Sequence, residues 1–357
     1  MTQAANGICP FFLSLKTMRM TLTLTEGSQR IDSLDAFLNE WFDDSNQVIC
    51  KTSGSTGPPT HLAVAKRAMR YSAQTTVDFF GLNSAHTGLL CLPCDFIAGR
   101  MMVVRALLSG MRMLSLTPSA DPLSGTLPCS VHFAAFTPPQ VHNALSRDSS
   151  SQILKNIASV LIGGAPLPSD VENKLIELGV NAYVTYGMTE TISHIALRKV
   201  GEDHYKLISE DTRISSDEQG CLVLENPHLF EGKLVTRDAV DILDGHSFRW
   251  LGRVDFVINS GGLKIHPEQV ELKITRHPAW TGHVVMVAAE AHPVYGERPV
   301  LISLKKADLP PLHTLQQILS KHEMPGRVIL TDAFVFTENG KINRALTAWA
   351  ALAQSVE

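Results

Sequence analysis

The chain has 357 residues, 44% hydrophobic and 18% charged, with a net charge of −4. That length allows two domains and a sizeable core, and the mild acidity gives no reason to expect a nucleic acid or an anionic membrane surface as partner. No stretch approaches the apolar run that spans a bilayer, and the short run at 8–15 has no basic residue before it, so a cytoplasmic protein without a secretory signal is expected.

Residues 1–45 are the least readable; Met18 and Met20 are each a candidate start. Residues 21–25 alternate like a short strand, and 31–42 carry Leu34, Phe37, Leu38 and Trp41 at helical spacing. From residue 48 an α/β rhythm sets in. The spacing predicts strands at 48–50, 88–92, 111–116, 130–136, 159–162 and 182–185, with helices at 66–80, 98–108, 139–145 and 169–178 between them. Ser169 is a candidate cap and Gly179 a stop for the last helix. Such alternation implies a mostly parallel sheet covered on both sides, with ligands outside the carboxyl ends of its strands.

Beyond residue 193 short strands dominate (195–198, 221–224, 234–236, 248–251), which suggests a small antiparallel subdomain. The last hundred residues change again: a helix from Pro267, strands at 284–289 and 299–304, and helices near 312–321 and 343–353. The fold class is thus α/β, with a large domain over 1–254 and a small mobile α+β domain over 255–357. The six cysteines are scattered, which argues against a disulfide framework, and Cys91 and Cys94 are read as packing residues.

Six stretches can carry chemistry. The first, residues 51–59, follows a strand and sets the hydroxyls of Thr52, Ser53, Ser55 and Thr56 among Gly54 and Gly57. Hydroxyls and close-approaching backbone N–H groups suit polyphosphate oxygens. It is not a Walker loop, because Pro58 and Pro59 follow Gly57. The ordinary alternative is a solvated loop. Gly163-Gly164-Ala165-Pro166 and Tyr186-Gly187-Met188-Thr189-Glu190-Thr191 also follow strands. The second of these offers a ring, a close-approach glycine, hydroxyls and a carboxylate suited to Mg²⁺. Asp238 ends a strand, placed for ribose hydroxyls or as a turn cap. Gly252-Arg253-Val254-Asp255 leads to Gly261, Gly262 and Lys264. Lys341 follows an Asn-Gly turn, otherwise an ordinary solvated position.

In this order the motifs, over roughly residues 48–350, resemble those of the adenylate-forming superfamily of acyl- and aryl-CoA synthetases, luciferases and peptide-synthetase adenylation domains. The resemblance implies ATP, Mg²⁺ and CoA as reaction partners. It implies a phosphate loop at 52–59, adenine-side contacts at Gly163, Gly164, Ala165, Pro166, Tyr186, Gly187 and Met188, and phosphate and Mg²⁺ contacts at Thr189 and Glu190. It further implies ribose and phosphate contacts at Asp238 and Arg253, a hinge at Asp255, adenylation driven by Lys341, and a thioester step using Gly261, Gly262 and Lys264.

Two departures stand out. Pro59 and Thr60 occupy the place of the loop lysine usual in the family, with Lys66 or Arg67 as candidate substitutes, and the phosphate loop lies unusually close to the start of the chain. The short N-terminus and residues 185–198 resemble the compact o-succinylbenzoate–CoA ligases of menaquinone synthesis. That likeness implies an acyl pocket walled by Phe96, Arg100, Arg105, Thr191, Ser193 and His194. Another acyl- or aryl-CoA ligase, a stand-alone carrier-loading enzyme and a degenerate adenylate-binding module are the alternatives.

Overall fold

The computed structural model describes residues 20–51, 61–336 and 342–354. Its centre is a sheet of eleven strands whose spatial order is Arg213–Ser216, Cys221–Glu225, Lys233–Asp244, Ser247–Arg253, Tyr205–Leu207, His194–Lys199, Ala182–Gly187, Ser159–Ile162, Phe133–Phe136, Thr87–Leu90 and Arg112–Ser115. The last five run parallel to one another; from Ala182–Gly187 towards Arg213–Ser216 every pairing is antiparallel. The antiparallel strands, expected as a subdomain of their own, therefore continue the parallel sheet edge to edge.

Alternation along the parallel strands divides the core in two, because successive side chains leave a strand on opposite faces. Leu90, Met113, Phe133 and Leu161 pack with the helices Asp32–Phe42, Lys66–Phe80 and Ile97–Ser109. Leu89, Leu114, Ala134 and Val160 pack on the other face with Pro138–Leu145, Asp148–Lys155 and Ser169–Leu178. Lys66–Phe80 stops at Gly81, whose φ of 62° only glycine adopts without strain. Pro138–Leu145 starts with proline behind a Thr137–Gln140 capping box. Ser169 does not cap its helix: Pro168 holds the N-cap position with no side-chain bond, and the Ser169 hydroxyl meets Thr275 Oγ1 at 2.9 Å.

Gln47–Lys51 pairs antiparallel with His61–Ala65, a strand the sequence pattern did not reveal, so residues 52–60 join two strands rather than a strand and a helix. Thr23 and Thr25 exchange backbone hydrogen bonds with Met113 at 2.9 Å, extending the parallel edge. After the 3₁₀ turn Val254–Phe256, the chain forms a second sheet of Leu263–Ile265, Ile258–Ser260, Gly296–Leu304, Val285–His292 and Val328–Thr331, packed on Pro267–Arg276. The segment near 312–321 is a 3₁₀ helix, Leu312–Gln317, rather than an α-helix. Cys91 and Cys94 are free and buried, and burial pushes both thiols up to about 12, as befits packing residues.

Candidate active site

Ala182–Gly187 is the strand at which the sheet changes from parallel to antiparallel. Ligands of open α/β sheets bind at the carboxyl ends of strands beside such a reversal. Gly163 and Gly164 follow the neighbouring strand and turn beside this one. A Cβ on Gly163 would stand 2.3 Å from Thr185 Oγ1, and Gly164 has φ +92°, so neither position tolerates a side chain without rearrangement. Gly164 and Pro166 are exposed and Ala165 is half-buried.

The turn after Gly187 carries Thr189 and Glu190, and a buried hydroxyl shapes it. Thr191 Oγ1 accepts from Met188 N–H at 2.9 Å and lies 3.0 Å from Met188 O and 2.8 Å from Ser193 O. Thr191 is fully buried, and it braces the turn. Ile192 is the one non-glycine residue with positive φ among the described residues, at +67°. A β-branched residue there is strained, and its side chain is held in the core shared by Ala68, Met69 and Met101. Gly187 is a close-approach glycine, but what approaches is backbone: a Cβ would sit 2.3 Å from Ser193 O. The result leaves Glu190 exposed at the sheet edge and Thr189 half-buried beside it.

Tyr186 lies at the same edge, 8% exposed, its ring edge-on to Phe248 at 5.1 Å. Its hydroxyl donates to Asp238 Oδ2 at 2.8 Å, while Trp250 Nε1–H donates to Oδ1 at 3.2 Å. Burial, then the Asp238 charge, drives the phenol well above its ordinary value. Trp250 was not foreseen as part of this group; it reaches Asp238 because antiparallel strands 233–244 and 247–253 lie side by side. Arg253 is the direct cross-strand partner of Asp238. Its guanidinium donates to Asp255 Oδ2 at 2.8 Å, and Arg237 Nε donates to Oδ1 at 3.0 Å. The bond from Arg237 is the main cause holding the Asp255 carboxyl below its ordinary value.

The match to known proteins is direct. Residues 18–229 fit the model of the AMP-binding enzyme family. The chain belongs to the AMP-binding enzymes. It is 26% identical over 346 residues to the 2-succinylbenzoate–CoA ligase of Bacillus cereus (strain Q1), covering 87% of this chain and 71% of that protein. To the 2-succinylbenzoate–CoA ligase of Escherichia coli (strain K12) it is 29% identical over 266 residues, 70% of this chain and 57% of that one. Among solved structures, an acyl-CoA synthetase (AMP-forming)/AMP-acid ligase II-like protein from Dyadobacter fermentans is 29% identical, with a TM-score of 0.59 over 88% of this chain and 93% of that one. The O-succinylbenzoate coenzyme A synthetase of Bacillus subtilis, with ATP and magnesium ion, shares the fold at 20% identity and TM-score 0.70, over 84% of this chain and 69% of that one.

In this AMP-binding enzyme the basic residues singled out in the sequence find different surroundings. Arg100 is a structural cation: Nε donates to Cys94 O at 2.7 Å, one terminal nitrogen pairs with Glu40 at 3.1 Å, and the group lies over the Phe37 ring at 5.1 Å. Lys66 does not stand in for the absent loop lysine. It is 4% exposed and its Nζ donates to Asp43 Oδ1 at 2.6 Å. Arg67 is exposed.

Arg105 differs from both. It is 2% exposed, donates to Ser193 Oγ at 3.0 Å, has a buried Nε without a partner, and makes no ion pair among the described residues. Burial alone lowers it to about 9. His194 contacts Thr76 Oγ1 through Nε2 at 3.1 Å and Ser193 Oγ through Nδ1 at 3.4 Å. Its burial, and next the Arg105 charge, hold it well below 6.5, hence neutral. Phe96, 40% exposed, precedes the same helix as Arg105.

In the second sheet Gly261 and Gly262 form the tip between two paired strands, at φ +59° and +84°, with Lys264 exposed beyond them. Arg344 reaches back to Glu271 through both terminal nitrogens, at 2.9 and 2.6 Å, and lies 5.3 Å from the Phe256 ring centre. Thr52, Ser53, Gly54, Ser55, Thr56, Gly57 and Lys341 lie outside the described residues.

Proposed function

We propose that this AMP-binding enzyme activates a carboxylate with ATP, through an acyl adenylate, and transfers the acyl group to CoA, and that the carboxylate is o-succinylbenzoate. One observation carries the substrate class: Arg105, a buried guanidinium with no ion pair among the described residues, beside neutral polar Ser193 and His194. An unpaired buried cation is costly. A second carboxylate on the substrate, remote from the one being activated, relieves that cost, and a monocarboxylic acyl group does not. The names of the curated relatives support the same compound.

In this reading Asp238, held by Tyr186 and Trp250, receives the ribose hydroxyls, and Arg253 attends the ribose and phosphate. The hydroxyls and N–H groups of 52–57 hold the departing pyrophosphate. Thr189 would contact phosphate and Glu190 would hold Mg²⁺. A lone exposed carboxylate fits an ion that retains water and borrows substrate phosphates, and no three-residue metal cluster exists among the described residues. When bound, that ion supplies neutralising charge at the phosphates. Attack of one anion on another needs further cationic charge between them, which Lys341 provides; such stabilisation is worth about 10²–10³ in rate.

Residues 255–357 then act as a mobile domain hinged at Asp255, withdrawing Lys341 and presenting Gly261, Gly262 and Lys264 for thioester formation. No helix among the described residues is long and apolar enough to cross a membrane, and the small soluble substrates suit a cytoplasmic enzyme. The test is a panel of carboxylates, including o-succinylbenzoate, with ATP and CoA. Products are read by thioester mass and pyrophosphate release. Thioester from o-succinylbenzoate alone is the expected result; a monocarboxylate preferred to it overturns the substrate, and no pyrophosphate with any acid overturns the activity.

A further inference from the structure

The two sheets are gripped together by neighbouring residues at the start of one helix. In Pro267–Arg276, Gln269 Nε2 donates to Trp250 O at 2.9 Å and Leu251 O at 3.1 Å. Glu268 Oε1 accepts from Arg253 N–H at 3.3 Å. These three backbone groups end the last strand of the large sheet, immediately before the turn that leads to the second sheet. Gly252 has φ +145°, and a Cβ on it would stand 2.3 Å from Glu268 Oε2. The carboxyl thus fills a slot that exists only because residue 252 has no side chain. Inside it Oε2 is buried without a hydrogen-bond partner.

We propose that Glu268 is a protonation-sensitive latch that sets the orientation of the second sheet against the large one. The inference rests on the two-orientation reading of the reaction above. Burial is the largest influence on Glu268; Arg344, from the C-terminal helix, opposes it, and Glu271, one turn further along its own helix, adds to it. The Arg253 side chain is turned to Asp255 and contributes only its N–H. The outcome is a carboxyl raised to about 6. Any rotation that lifts Glu268 out of the slot exposes it to water and returns it to its ordinary range. The seated orientation therefore binds a proton more tightly, gains population as pH falls through about 6, and is loosened once Glu268 is ionised. This makes Glu268 a positioning residue that acts through Gly252 and Arg253 and touches no substrate.

The test measures orientation rather than turnover. Spin labels carried by unnatural amino acids at the exposed positions Val235, on a strand of the large sheet, and Val294, in the turn between Val285–His292 and Gly296–Leu304 of the second sheet, report the inter-sheet distance in the full chain. Between pH 7.5 and 5.0 the ratio of seated to unseated distances rises about eightfold in the parent protein, from the linkage of a carboxyl at about 6 seated and about 4.5 released. Glu268→Gln abolishes that rise. Gln269→Ala, which weakens the grip without removing a titrating group, lowers the seated fraction but keeps the rise. A pH-flat parent distance, or a Glu268→Gln variant that still titrates, overturns the latch. If the distances titrate while no thioester forms with any acid, the latch stands and the ligase reading fails.

Discussion

Tyr186 and Asp238 are 52 residues apart in sequence and 2.8 Å apart in space, joined by a buried hydrogen bond from phenol to carboxylate. The bond crosses from the strand at the sheet's reversal to a strand in its antiparallel half, so it aims Asp238 at the edge where Gly163 and Glu190 also lie. Tyr186→Phe removes one of two side-chain donors to a buried carboxylate. It is expected to cost about 1–3 kcal/mol in stability and to raise KM for ATP several-fold, with KM for the acid unchanged. Denaturant melts and two-substrate kinetics check it; an unchanged ATP KM counts against Asp238 as the ribose contact.

Arg105 supplies the second prediction, with its sign set by burial. Burial lowers its guanidinium to about 9, which still leaves it charged from pH 6 to 8. Affinity for o-succinylbenzoate should therefore be flat over that interval. Arg105→Met removes an unpaired buried cation. The substrate-free protein should melt no lower than the parent, while kcat/KM for o-succinylbenzoate falls at least a hundredfold. Equal losses for o-succinylbenzoate and for monocarboxylic acids would sink the assignment.

Lys341→Ala separates the two half-reactions. Adenylate formation should fall by about 10²–10³, while preformed acyl adenylate still reacts with CoA near the parent rate. Quench-flow of each half-reaction decides it, and comparable loss in both shows that Lys341 serves the fold or the thioester step instead.

Thr191→Val keeps the volume of a fully buried side chain and deletes the oxygen that accepts from Met188 N–H. A cost of about 1–3 kcal/mol is expected. Because Thr189 and Glu190 ride on this turn, adenylation should also slow with little change in the second half-reaction. Single-turnover rates, with added Mg²⁺ titrated, are the measurement.

Local pattern in the sequence determined a good deal here. Helical spacing located Lys66–Phe80, Ile97–Ser109 and Ser169–Leu178, the last with Gly179 as its stop, and the apolar runs located the parallel strands, because burial against a sheet imposes periods that need no partner to be read. The motif residues Gly163, Tyr186 and Glu190 fall at or just after strand ends, as their spacing suggested; Asp238, expected to end a strand, instead lies within Lys233–Asp244 and meets Tyr186 across the sheet. Tertiary structure decided what each cation does. Lys66, Arg100 and Arg105 are alike in sequence as basic residues on helices after strands, yet Asp43 and Glu40 neutralise the first two, and no acid among the described residues reaches the third. Charge compensation depends on which carboxylate a long-range contact brings within a few ångströms. Pairs such as Lys66 with Asp43, Tyr186 with Asp238 and Gly252 with Glu268 therefore became legible only once the chain was folded.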